Sequence, residues 1–200
     1  MQKLTATRAL VIQQHKEWGE ILSGFEVRNR YSVLDADGRE LYAAAEVGGS
    51  FLTRLFLGRL RPFEIRVLSP EGASVLVLRR PFRWLFHEIH AQAADGHPLG
   101  GVKQRFAWLR RRFTVSDATG RELCELYGPL LHPWTFEIRE GERVLGRIVK
   151  RWSGAAKELF TDADFFGVEF PRDWDVERKA ILLGAVFLID FVYFERSGGN

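Results

Sequence analysis

Five tight turns, each carrying a glycine beside acidic or polar residues, divide the middle of this chain into matched pairs of apolar or alternating runs. The turns fall at Asp37-Gly38, Glu71-Gly72, Asp95-Gly96, Thr119-Gly120 and Gly141-Glu142. A run, a glycine turn and a second run form a β-hairpin, and a glycine there supplies the positive φ that a primed turn demands. The flanking runs include Tyr31 to Leu34, Glu40 to Ala44, Phe63 to Leu68, Val75 to Leu78, Glu88 to Ala93, Phe113 to Ser116 and Phe136 to Arg139. In Phe63-Glu64-Ile65-Arg66-Val67 and Phe136-Glu137-Ile138-Arg139 the apolar and charged residues alternate, so these strands have one buried and one wet face. Ten hairpin strands, with one more near Leu10 to Gln13 and another near Gly167 to Phe170, exceed what an open twisted sheet manages without curling. Closure into a barrel removes the unpaired edges.

The pattern changes after Pro171. Val176 to Phe194 reads as a helix that is apolar on every side, and such a helix must be buried. A barrel of about twelve strands has a lumen too wide for its own side chains, which a central helix fills. The alternative is a membrane anchor. Its apolar core, Ala180 to Phe194, is interrupted by Asp190 and falls short of the roughly 20 residues a spanning helix needs. The expectation is therefore a mainly β protein: one domain over residues 1–200, a closed antiparallel barrel with a hydrophobic helix at its centre.

Composition excludes several classes. With 46% hydrophobic and 13% aromatic residues the chain can bury enough surface to fold, which rules out disorder. The lone cysteine, Cys124, cannot close an internal disulfide and reads as a buried structural thiol. The start of the chain lacks the apolar run of a secretory signal, so a cytoplasmic location is expected, with peripheral attachment to the inner face of the plasma membrane. No nucleophile elbow, phosphate loop, dinucleotide fingerprint or zinc helix occurs, and the chain is not expected to be an enzyme. His87 and His90 face opposite sides of a strand and are not expected to share a metal.

Two features carry functional expectations. Between hairpins lie Arg79-Arg80-Pro81-Phe82-Arg83-Trp84-Leu85-Phe86 and Lys103-Gln104-Arg105-Phe106-Ala107-Trp108-Leu109-Arg110-Arg111-Arg112. Interleaved cations and aromatic rings suit an anionic membrane, where charges meet phosphates and rings sit at the headgroup level. The expected lipid contacts are Arg83, Trp84, Phe86, Lys103, Arg105, Trp108, Arg110, Arg111 and Arg112. The same clusters also suit single-stranded nucleic acid, the less favoured partner. Second, Asp162 to Asp173 scans as a calcium loop: Asp162, Asp164 and Asp173 fall at ligand positions one, three and twelve and Gly167 at six, although Phe166 and Phe170 occupy other ligand positions. The competing reading makes Asp173 or Asp175 the cap of the final helix.

From Ala9 to Glu195 the chain resembles the phospholipid scramblase family, relatives of the LURP-one-related and tubby C-terminal domains. The resemblance rests on Leu22-Ser23-Gly24-Phe25-Glu26, Leu41-Tyr42-Ala43-Ala44-Ala45-Glu46 and Arg61-Pro62-Phe63-Glu64-Ile65-Arg66. It rests above all on Phe160-Thr161-Asp162-Ala163-Asp164-Phe165-Phe166-Gly167-Val168-Glu169-Phe170-Pro171, followed by Gly184 to Phe191. It implies a twelve-stranded barrel around a C-terminal helix, calcium bound at Asp162 to Asp173, and calcium-stimulated movement of phospholipids between leaflets. Where animal members carry a palmitoylated cysteine cluster, this chain reads Arg80-Pro81-Phe82-Arg83-Trp84-Leu85-Phe86. The alternative is a tubby-like barrel that binds lipid or a partner without transport.

Overall fold

The structure is a computed structural model that describes residues 1–15, 21–22, 25–47, 60–108, 110–150 and 165–194. Its strands are β1 (Ala9–His15), β2 (Ile21–Leu22), β3 (Phe25–Leu34), β4 (Glu40–Val47), β5 (Phe63–Leu68), β6 (Ser74–Arg80) and β7 (Glu88–Ala93). They continue as β8 (Pro98–Arg105), β9 (Arg111–Asp117), β10 (Glu122–Gly128), β11 (Thr135–Glu140), β12 (Arg143–Lys150) and β13 (Phe165–Glu169). From β3 to β12 each strand pairs antiparallel with the next, and β12 pairs with β13. The ring closes through β1, which pairs with β13 over Ala9 to Gln13 and with β3 over Val11 to His15. β2 is a two-residue addition that pairs only with β3, which leaves twelve of the thirteen strands in the closed ring.

Helix α1 (Val176–Ile189) runs through the lumen and continues as a π-helical turn, Asp190–Phe194. Every residue from Lys179 to Ile189 is buried, as an all-apolar surface requires. Asp175, and not Asp173, caps the helix: its Oδ1 accepts from the Arg178 amide at 2.9 Å. Inward residues of the strands pack on the helix, as where the Tyr31 ring meets Phe187 edge-on at 5.0 Å. Gly100 of β8 takes a φ of +147°, and a Cβ there would lie 2.2 Å from the Ser116 carbonyl and 2.8 Å from Ile181. Only glycine lets β8 pass that close to both its neighbour strand and the helix.

The turns differ from the expected type in one respect. In four of them the loop holds three residues with glycine last: the Gly38 amide donates to the Asp35 carbonyl and the Asp35 amide to the Arg39 carbonyl, and the same pair of bonds recurs at Ser69–Ala73, Ala93–His97 and Asp117–Arg121. That is the three-residue hairpin with a glycine bulge, in which glycine follows the turn instead of occupying its centre. Gly141 alone sits inside a two-residue loop, between the paired Glu140 and Arg143. All five glycines have positive φ.

The N-terminal segment closes the end of the barrel where α1 begins. The buried Lys179 ammonium donates to the carbonyls of Leu4 at 3.0 Å, Thr5 at 2.8 Å and Thr7 at 2.9 Å. Its three donors are matched by three acceptors, which compensates for removing the charge from water. Lys179→Ala strands those carbonyls and is expected to cost about 3 kcal/mol, read from urea denaturation; a loss near zero would mean that water replaces the ammonium. Cys124 is buried on β10, and burial pushes its thiol pKa up to about 12. The native protein is expected to resist thiol reagents at mildly alkaline pH and to react once unfolded; rapid labelling of the native state would contradict the packing.

Candidate membrane-facing end

Because consecutive strands are antiparallel, the connections fall into two sets. The glycine turns lie at the end where α1 starts. The longer loops 81–87, 106–110 and 129–134 lie at the other end, where α1 finishes. Phe191 packs on Phe63 at 4.9 Å, Tyr193 on Phe113 and Phe136, and Phe194 stacks on Trp134 at 5.5 Å, so aromatic rings line the mouth at the loop end.

Two arginines seated on those rings hold the loops. Arg80 is buried, its guanidinium 4.5 Å from the Phe191 ring, with Nη1 donating to the Arg61 carbonyl and Nη2 lying 2.6 Å from His87 Nδ1 across the base of loop 81–87. Beside it Arg61 pairs with the buried Glu46. Arg111 lies 4.5 Å from the Phe136 ring and 5.4 Å from the Tyr193 ring. Its Nη1 donates to the Pro133 carbonyl at 2.5 Å, and its Nη2 to those of Pro129 at 3.2 Å and His132 at 3.3 Å. Desolvation lowers its pKa from the ordinary arginine value, while the Tyr193 hydroxyl opposes that shift. Arg111, expected among the lipid contacts, is half-buried and acts as a clasp whose guanidinium is engaged by the carbonyls of loop 129–134.

The other expected lipid contacts divide by exposure. Trp84 keeps 73% and Trp108 80% of its surface exposed, with Phe82, Leu85, Phe86 and Phe106 also presented to solvent. Arg83 donates to Glu88 Oε1, which His90 Nε2 also approaches at 3.2 Å; Lys103 Nζ stands 4.0 Å from Glu88 Oε2. Burial pushes the Glu88 carboxyl upward, but the hydrogen bonds from Arg83 and His90 outweigh it and hold the pKa below the usual carboxylate range. Arg105, at the loop end of β8, reaches back along the outer wall to Glu122 at 3.5 Å, and Arg112 pairs with Glu125. These pairs are exposed and screened, so their cations remain able to exchange a carboxylate for a phosphate. Arg110 is exposed, 5.7 Å from the Tyr127 ring. His87 points to Arg80 at the mouth while His90 reaches Glu88 on the wall, so the two imidazoles do not converge.

Leu130, Leu131 and Trp134 belong to the same end and were not anticipated. Leu131 is 90% and Leu130 62% exposed. Basic-aromatic clustering does not mark them, because Pro129 to Trp134 contains no arginine or lysine. Nine of the ten large hydrophobic residues exposed among the described residues lie in these three loops; the tenth is Val144.

The calcium reading meets a geometric obstacle. Asp162 and Asp164 lie outside the described residues. Phe165 to Glu169, the middle of the supposed loop, is strand β13, paired on one side with β1 and on the other with β12. A five-residue strand is extended over about 17 Å, and Asp173 lies beyond its far end. A twelve-residue calcium loop ending at Asp173 does not fit this fold. Among the described residues no group of three His, Cys, Asp or Glu side chains converges to hold a metal.

The fold agrees with a solved structure. An X-ray structure of a protein from Arabidopsis thaliana superposes with a TM-score of 0.50 at 15% identity, covering 94% of each chain, and that likeness concerns the fold alone. Sequence comparison is more specific. The family model described as Scramblase matches residues 1–196. Phospholipid scramblase 1 of Rattus norvegicus is 37% identical over 214 residues, which cover 100% of this chain and 64% of the rat protein. Phospholipid scramblase 2 of Bos taurus is 38% identical over 100% of this chain and 73% of its own length. Phospholipid scramblase family member 5 of Homo sapiens is 31% identical over 98% of this chain and 78% of its own length. This chain thus spans less than two thirds of the rat relative. A barrel closed around an apolar helix and a family match over nearly the whole sequence lead to one conclusion: the chain belongs to the scramblase family.

Proposed function

We propose that this protein binds phospholipid membranes through the loop end of its barrel, on the cytoplasmic face of the cell's membranes. One observation carries the reading: the two basic-aromatic loops, 81–87 and 106–110, join adjacent strand pairs at the same end, with Trp84 and Trp108 mostly exposed and Arg83, Lys103, Arg105 and Arg112 in or beside them. Rings at headgroup depth and cations among phosphates match the two layers of an anionic interface. Each cation near such a surface contributes about 1 kcal/mol, less at high salt. Loops that follow one another around a rim of hairpins suit a plane better than the groove a single strand of nucleic acid would need.

Trp84→Ser with Arg110→Glu removes one apolar tip and reverses one rim charge while leaving Arg111 in place. It is expected to weaken flotation with mixed phosphatidylcholine–phosphatidylserine vesicles by about tenfold or more. Unchanged flotation would place the binding surface elsewhere. Movement of lipid between leaflets is a second reading, favoured by the family membership. It predicts that proteoliposomes lose the protection of inner-leaflet fluorescent lipid from dithionite; equal protection with and without protein would reject it for this chain.

Calcium responsiveness is proposed on Asp162 and Asp164 alone, since Asp173 stands apart. If those carboxylates bind the ion, calcium changes the tryptophan fluorescence of the protein, and Asp162→Ala with Asp164→Ala abolishes the change. The same titration in both proteins would withdraw the ion from this account.

A further inference from the structure

Loop 129–134 differs from its two neighbours in being apolar at its tip and fixed at its base. Leu130 and Leu131 stand side by side, mostly exposed, between Pro129 and Pro133. Proline at both flanks restricts φ there, and the three carbonyls bound by Arg111 tie the loop to the barrel mouth. The His132 amide donates to the Pro129 carbonyl, and the Lys150 amide to that of Trp134 at 2.8 Å. Gly128 makes the clasp feasible: a Cβ there would lie 2.9 Å from Arg111 Nε and 3.0 Å from Phe136.

A loop held this way loses little further freedom on binding, which favours affinity. Its apolar tip has no role in the core, while Arg111 is engaged at the loop's base and Arg110 and Arg112 lie on the neighbouring rim and wall. Apolar tips ahead of a ring of cations complement hydrocarbon beneath a layer of phosphates.

We infer that Leu130 and Leu131 form a preformed wedge that enters the acyl region of an anionic bilayer, while loops 81–87 and 106–110 remain at headgroup depth. Arg111 is the positioning residue of the wedge. This inference rests on the membrane-binding reading above and adds to it a depth and an orientation: the barrel stands with its loop end down and its glycine turns away from the lipid.

Cys124 is buried with a raised pKa, so a cysteine introduced on the surface can be labelled selectively. Leu131→Cys carrying an environment-sensitive nitrobenzoxadiazole dye is compared with Glu142→Cys, in an exposed turn at the opposite end. With phosphatidylcholine–phosphatidylserine vesicles, the dye at position 131 is expected to shift to the blue and to be quenched more by acyl-chain spin labels than by headgroup ones. The dye at position 142 is expected to stay unchanged. If the protein floats with vesicles but the dye at position 131 does not respond, the wedge is overturned and membrane binding stands. If the protein does not float, both fall.

Leu130→Ser with Leu131→Ser, both surface changes, is expected to reduce vesicle binding by about tenfold or more and to do so at high salt as well. A loss confined to low salt would overturn insertion. Arg111→Lys replaces the fork that spreads Nη1 over Pro133 and Nη2 over Pro129 and His132 with a single ammonium, and is expected to raise amide exchange at His132. Unchanged exchange with near-ultraviolet circular dichroism intact would remove Arg111 from the positioning role.

Discussion

A helix with no polar face cannot lie on a surface, and the rest of this structure follows from where that helix is put. α1 is enclosed by strands, and twelve strands are about what a helix-filled lumen requires. Enclosure sets local demands in turn. β8 needs Gly100 to pass beside Ile181, and α1 carries Gly184 where a Cβ would press on Leu78 at 3.1 Å. The one charge in the buried run, Lys179, is placed where three carbonyls of the N-terminal segment can receive it. The aromatic finish of the helix, Phe191 to Phe194, reaches the mouth and becomes the seat for the arginines that hold the loops.

Much of this was legible before any coordinates. Alternation gave the strands because one face of each meets the helix and the other meets water, and glycine marked the turns because left-handed φ is costly for other residues. What sequence could not distinguish is a glycine at the centre of a turn from one just after it, since both need positive φ. Arginine misled for a related reason. Arg110, Arg111 and Arg112 are identical in a string, yet strand periodicity sends Arg111 inward onto Phe136 and leaves Arg112 outward beside Glu125. Within the calcium pattern, Phe-Phe-Gly-Val-Glu also satisfies a strand buried between β1 and β12, and pairing on both sides leaves that stretch no freedom to curl around an ion.

The two ends of the barrel obey different rules. At the glycine-turn end, Asp35 and Asp117 accept backbone amides within their own turns, which settles short polar connections in water. At the loop end the polar demands of the backbone are met from inside by Arg80 and Arg111, which leaves the side chains of the tips free of structural duty. That division explains why exposed large hydrophobic residues gather at one end and not the other.

Enclosure of α1 also bounds the ways the protein can meet a bilayer. No helix among the described residues is long and apolar enough to cross a membrane. The apolar segment that reads in sequence as an anchor has its surface committed to the barrel, and withdrawing it would expose the lumen along with the helix. The residues at the loop end are of the other kind: their removal leaves the core untouched. Trp84, Trp108 and Leu131 contribute little to the packed interior, so substitutions there leave the stability of the fold nearly unchanged. Strands and helix fix the shape of the platform, and the loops carry the large apolar side chains that the fold itself does not use.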